Sequence, residues 1–152
     1  MLKWLNLSAL VIVFDQLSKW WANSALELYQ SIAVLPFFNI TLAYNHGAAF
    51  SFLASESGWQ RWFFTGLAVV VSIVLLVWLK RLKTDAKLEA ISLALILGGA
   101  LGNVIDRVVH GYVIDFIDVY YGTYHWPAFN VADSAICVGA FLLILDSFRN
   151  KT

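Results

Sequence analysis

The stretch "WFFTGLAVVVSIVLLVWL", Trp62 to Leu79, contains no charged residue. As a helix it rises roughly 27 Å, close to the ~30 Å of a bilayer's hydrocarbon core. An uncharged segment of this length constrains the chain more than any other feature, because it needs lipid or a large protein interior around it. Composition favours lipid: charged residues make up 13% of the 152 positions, about half the share of ~25% usual in soluble domains.

Three further segments have the same character. Ala90 to Ile105, "AISLALILGGALGNVI", continues through Asp106 and Arg107. Val131 to Leu145 is entered through Asp133. Leu5 to Trp21 is apolar as far as Phe14 and then carries Asp15 and Lys19. Together they predict an all-α membrane protein in a single integral domain: four transmembrane helices, over roughly 5–21, 62–79, 89–107 and 131–148. The first segment could instead be a cleavable leader with Lys3 as its basic start, but Asp15 and Lys19 stand where small residues should precede cleavage.

All seven tryptophans, Trp4, Trp20, Trp21, Trp59, Trp62, Trp78 and Trp126, fall near span ends, as in interfacial belts. Basic residues concentrate in "KRLKTDAK" (Lys80–Lys87) and at Lys3, Arg149 and Lys151. The positive-inside rule therefore puts both termini and this loop in the cytoplasm. Segments of about 22–61 and 110–130 then lie outside. "FFNITLAYNHGAAFSFL" (Phe37–Leu53) and "VIDFIDVYYG" (Val113–Gly122) read as extended, which adds a small extracytoplasmic β element.

This topology gathers Asp15, Lys19, Asn103, Asp106, Arg107 and Asp133 toward one membrane face. Ionisable groups at such depth are rare and usually functional. Asp133 lies three residues after Asn130, so it could simply support a helix start. The alternative is a pair with Asp115, which sits among apolar neighbours in "GYVIDFID". Two carboxylates held together cannot both ionise easily, which leaves a base beside an acid. Asp118 is a rival to Asp115, although a solvated loop acid is the simpler reading of it. Arg107 shares a helix face with Asn103 and could hold a substrate carbonyl or pair with Asp106. Asp15 and Lys19, also four apart, suit an ion pair. Asn45 could donate to an oxyanion or form a turn, and Gly47 lets backbone approach closely.

Cys137 has apolar neighbours and no adjacent base, so packing is its expected role. The cluster Gly98, Gly99 and Gly102 suits helix contact, since no phosphate-loop lysine follows. A single cysteine and three scattered histidines, His46, His110 and His125, argue against a metal site. No basic stripe points to nucleic acid.

Four blocks together carry a resemblance: "DQLSK" (Asp15–Lys19), "YNHGAAFS" (Tyr44–Ser51), "GNVIDRVVHGYVIDFID" (Gly102–Asp118) and "FNVADS" (Phe129–Ser134). In identity and order they resemble the signature blocks of bacterial lipoprotein signal peptidase, signal peptidase II. The resemblance implies a multi-pass aspartic endopeptidase of the bacterial cytoplasmic (inner) membrane, with its active site near the outer face. Its substrate would be a prolipoprotein, cut before a diacylglyceryl-modified cysteine. Asp115 and Asp133 would be catalytic. Asp15, Lys19, Asn45, Gly47, Asn103, Arg107 and Asn130 would support the site or bind substrate. The resemblance implies no metal and no organic cofactor, contact with membrane lipids, inhibition by globomycin, and a monomer. Two other classes fit intramembrane acids: a proton-coupled transporter, and an assembly subunit whose acids bind partner helices.

Overall fold

A computed structural model describes residues 2–47 and 59–149. A short 3-10 turn at Leu2–Trp4 leads into α1 (Leu5–Ala25). The strands β1 (Ser31–Leu35) and β2 (Phe38–Asn45) follow, then α2 (Trp59–Arg81) and α3 (Lys87–Val109). The chain ends with β3 (Val113–Tyr121), β4 (Tyr124–His125) and α4 (Val131–Arg149). A helix covers each of the four predicted segments and runs from one to five residues longer than expected. Of the helices, α2, α3 and α4 are long and apolar enough to cross a membrane.

α3 is the centre of the helical layer, because its small residues let neighbours approach on two sides. A side chain at Gly98 would meet Ser8 and Val11 of α1, and one at Gly99 would meet the Ala132 backbone of α4. Gly139 of α4 returns the contact against Ser92 and Ile96. The glycine cluster is thus helix packing, as the sequence suggested. At the far end from the sheet, Leu75 and Leu79 of α2 pack on Ala90, Leu93 and Leu97 of α3. The outer surface is apolar: Val70, Ile73 and Val74 of α2 and Phe141 and Ile144 of α4 are all exposed. That is the surface expected of lipid-facing helices.

α3 ends where Gly111 takes φ +88°, the left-handed conformation that closes a helix C-terminus. Arg61 of α2 caps the same end, donating from Nε to Arg107 O (2.7 Å) and from Nη2 to Val108 O (2.8 Å).

The strands form one antiparallel sheet in the order β1-β2-β3-β4. Its central register pairs Asn39 with Asp118 and Ala43 with Asp115. β2 and β3 realise the extended segments read from sequence, up to Gly47. The remainder of Phe37–Leu53 lies outside the described residues. β1 and β4 were not anticipated. The sheet docks on the end of α1 through Leu26, Leu42 and Ile114. One further pairing matters for the site: Phe129 accepts from the Phe116 and Ile117 amides and donates back to Ile117 O. This backbone zipper lays the start of α4 against β3.

Candidate active site

Because of the zipper at Phe129, the next residue, Asn130, meets β3 side-on. Asn130 is fully buried. Its Oδ1 accepts the Asp133 amide hydrogen at 2.9 Å, which caps α4. That bond fixes which way the amide faces, so Nδ2 points at Asp115 and donates to its Oδ1 at 2.7 Å. One side chain thus ties the two aspartates' segments together. Asp133 is not simply a capping carboxylate: its Oδ1 accepts from Asn103 Nδ2 at 2.8 Å.

Asn103 is oriented in the same way. Its Oδ1 accepts from Lys19 Nζ at 2.9 Å and from Asn130 Nδ2 at 3.2 Å, so its NH2 turns to Asp133. Lys19 is almost completely buried and also pairs with Asp15 (2.8 Å) and Asp106 (3.0 Å). Its three protons therefore meet three oxygen acceptors. Asp15 in turn accepts the Ala132 amide at 2.8 Å, so α1 caps α4 as well. On the sheet side, Asn45 donates to Asp115 Oδ2 at 3.1 Å, and its own Oδ1 accepts the Gly47 amide at 3.0 Å. Gly47 O accepts from Arg107 Nη2 at 3.1 Å, and Arg107 Nη1 reaches back to Asn103 O at 3.4 Å. Of the nine residues named for the site from the sequence, seven close one hydrogen-bonded circuit, and Lys19 and Asp15 join it through Asn103.

Two expectations are corrected here. Arg107 does not pair with Asp106, which faces α1: Lys19 and Gln16 (2.8 Å) hold it there, and it accepts the Ile114 amide at 3.0 Å. Asp118 is not a solvated loop acid. It is buried on β3, held by Asn39 (3.1 Å), Thr41 (3.1 Å) and His125 (2.8 Å). An odd spacing of three along a strand turns it to the face opposite Asp115. The sequence reading also missed Gln16, whose amide joins Asp15, Asp106 and Gly102 O. Its only signal was its place inside "DQLSK".

Asp115 and Asp118 titrate in opposite senses. Burial pushes Asp115 up to about 7, and the charge of Asp133 adds to the shift; the amides of Asn45 and Asn130 oppose it only in part. Burial also acts on Asp118, but donors from His125, Asn39 and Thr41 outweigh it and hold that carboxyl below its ordinary range. Asp115 is therefore the sheet's reluctant ion.

Asp133 borders two clefts. One, about 260 Å³, runs between α2, α3 and α4 and is lined by Phe64, Leu67, Val71, Asn103 and Arg107. The other, about 310 Å³, is lined by Trp126, Phe129, Ser134, Cys137 and Val138. Both are mostly apolar, so an amphiphilic chain could reach the carboxylates from the hydrocarbon side.

The family model for signal peptidase (SPase) II matches residues 7–149. The chain belongs to the signal peptidase II family. Among similar proteins, a lipoprotein signal peptidase of Alteromonas mediterranea is 60% identical over 149 residues, covering 98% of this chain and 82% of the relative. One from Vibrio cholerae is 53% identical over 159 residues, covering 99% and 89%. A solved structure described as a bacterial membrane enzyme, obtained by the in meso method, superposes with a TM-score of 0.89 at 32% identity, covering 99% of this chain and 90% of that one. The blocks read from the sequence of this signal peptidase II family member are the segments that the circuit brings together in space.

Proposed function

We propose that this chain is an aspartic endopeptidase of the bacterial inner membrane. It removes the signal peptide from diacylglyceryl-modified prolipoproteins by cutting before the lipidated cysteine. One observation carries the reading: Asn130 donates to the Asp115 carboxyl while accepting from the Asp133 amide, so one buried side chain joins the acid of β3 to the backbone of the acid eighteen positions on.

The base is Asp133, at a helix N-terminus and hydrogen-bonded by Asn103. Asp115, raised to about 7, starts protonated. Asp133 takes a proton from water as the oxygen attacks the scissile carbonyl carbon, and Asp115 gives its proton to the carbonyl oxygen. In the resulting gem-diol, Asp133 returns its proton to the amide nitrogen. The C–N bond breaks, and Asp115 recovers a proton from a diol hydroxyl. Both acids end as they began. Asn45, Asn103, Asn130 and Arg107 hold the geometry, and Asp15 and Lys19 fix the helices beneath it.

The site works at the outer face with four spans. α1 is 21 residues long, about 31 Å, enough to span. Its two interior charges neutralise each other at 2.8 Å, while Leu10, Val13, Phe14 and Leu17 remain outward. The basic 80s loop and both ends face the cytoplasm. The enzyme acts as a monomer, and globomycin inhibits it.

The test is single-turnover cleavage by purified protein in lipid, using a prolipoprotein with and without its diacylglyceryl group. Only the lipidated form should be cut, and folded Asp115→Asn and Asp133→Asn should each lose activity by at least about 10³-fold, the scale of losing an acid–base partner. Full activity in either folded variant would end the two-aspartate reading.

A further inference from the structure

A second cleft, of about 540 Å³, lies at the opposite end of the molecule, between the α2–α3 connection and the end of α4. Four cations line it: Arg81, Lys83, Lys87 and Arg149. Asp85, Glu89 and Asp146 line it too, but two of these acids are already engaged. Glu89 accepts the Trp78 indole hydrogen at 2.7 Å. Asp146 is buried and faces Arg149 at 3.5 Å. Among the described residues, Arg81, Lys83 and Lys87 have no carboxylate within ion-pairing distance. Four cations against three acids leave the concavity one positive charge in excess, which favours a bound anion. The start of α3 adds a small positive contribution, since Ala86 offers no capping oxygen.

The kind of anion follows from what adjoins the cleft. Arg81 also closes an apolar groove of about 460 Å³ formed by Ile73, Val74, Val77 and Trp78, which runs along α2 away from the charged end. A charged cleft and an apolar groove that share Arg81 in their walls together have the outline of a phospholipid, phosphate at one end and acyl chain at the other. Basic pockets beside membrane helices take lipid phosphates for this reason. A free phosphate would use the cleft and leave the groove empty.

We infer that Arg81, Lys83 and Lys87 form a binding site for the phosphate of an anionic phospholipid whose acyl chain lies along Ile73, Val74 and Val77. The site lies on the α2–α3 connection, at the opposite end of the molecule from Asp115 and Asp133. On the orientation proposed above the lipid comes from the inner leaflet, but the binding itself does not depend on that orientation.

Native mass spectrometry of the full chain, delipidated in detergent, tests this by titration with phosphatidylglycerol, phosphatidylcholine and inorganic phosphate. Phosphatidylglycerol should bind at least about tenfold more tightly than phosphatidylcholine. Each neutralised cation should cost about fivefold, so Lys83→Gln with Lys87→Gln should weaken it about twenty-five-fold. Val77→Trp, which fills the groove, should also weaken the lipid. Lys3→Gln, a cation outside the cleft, should change nothing. Melting curves establish that each variant folds, and Lys83→Gln alone still reads the fivefold step if the double variant does not. Equal affinity for the two lipids, inorganic phosphate binding as tightly as lipid, or an equal loss from Lys3→Gln would each overturn the site.

Discussion

Lys19 shows what a single side chain contributes here. Its ammonium is shared among Asp15, Asp106 and Asn103 inside the protein. Lys19→Met would leave two buried carboxylates without their cation, which should cost about 3–5 kcal/mol and lower the melting temperature sharply. Lys19→Arg should rescue little, because a planar fork cannot point at three converging oxygens. Asp115 makes the second prediction at this scale. A free carboxyl ionises near 3.8, whereas the folded protein keeps this one protonated to about 7. The unfolded chain therefore binds fewer protons between those values, and stability falls as pH rises from about 4 to about 7. Melting curves across that window should show the fall, and Asp115→Asn should flatten it. The acids themselves were legible in the sequence as interruptions of apolar runs. Gln16 was not, because an uncharged amide beside a span end leaves almost no trace in hydropathy. Nor was the partner of Asp106: neighbours in sequence suggested Arg107, but successive helical residues point about 100° apart.

At the level of elements, α3 depends on absent side chains. A methyl at Gly99 would run into the Ala132 backbone and Ile136, and would displace the helix start that carries Asp133. Gly99→Ala should therefore lower single-turnover cleavage of the lipidated substrate more than tenfold and destabilise the fold by roughly 1–3 kcal/mol. Gly66→Ala is the control, since nothing lies within 4 Å of its would-be Cβ; it should leave cleavage intact and stability unchanged or slightly higher. The helices were readable because lipid demands long apolar runs. β2 and β3 were readable from their β-branched and aromatic content. β1 was hidden because all five of its residues are exposed, so no buried face imprints a period of two. β4 is only two residues long, too short for any pattern. Asp118 was misread for a related reason: its burial comes from side chains of β2 and from His125, all distant or unpatterned in sequence.

The whole molecule has polar chemistry at both ends and an apolar girdle between. Its orientation can be read with a Cys137→Ser background, adding Tyr124→Cys on the sheet or Thr84→Cys in the α2–α3 connection. In intact cells, a membrane-impermeant thiol reagent should label position 124 from outside, and position 84 only after lysis. The reverse pattern would place the candidate site in the cytoplasm. The overall architecture was legible from where charge and tryptophan fall along the chain. What could not be read was the closure of the site, which depends on the backbone pairing of Phe129 with Ile117.

That pairing also sets when the enzyme can exist. Asp15 lies in the first helix and Asp133 in the last, and Asp15 accepts its bond from the Ala132 amide. Asn130, which bridges the acids, also comes late. A nascent chain halted just before residue 133 therefore carries α1 to α3, all four strands and Lys19, but lacks the second acid of the proposed pair. On the mechanism proposed above, cleavage waits for the docking of α4, so a half-made copy would leave the proteins threaded beside it uncut.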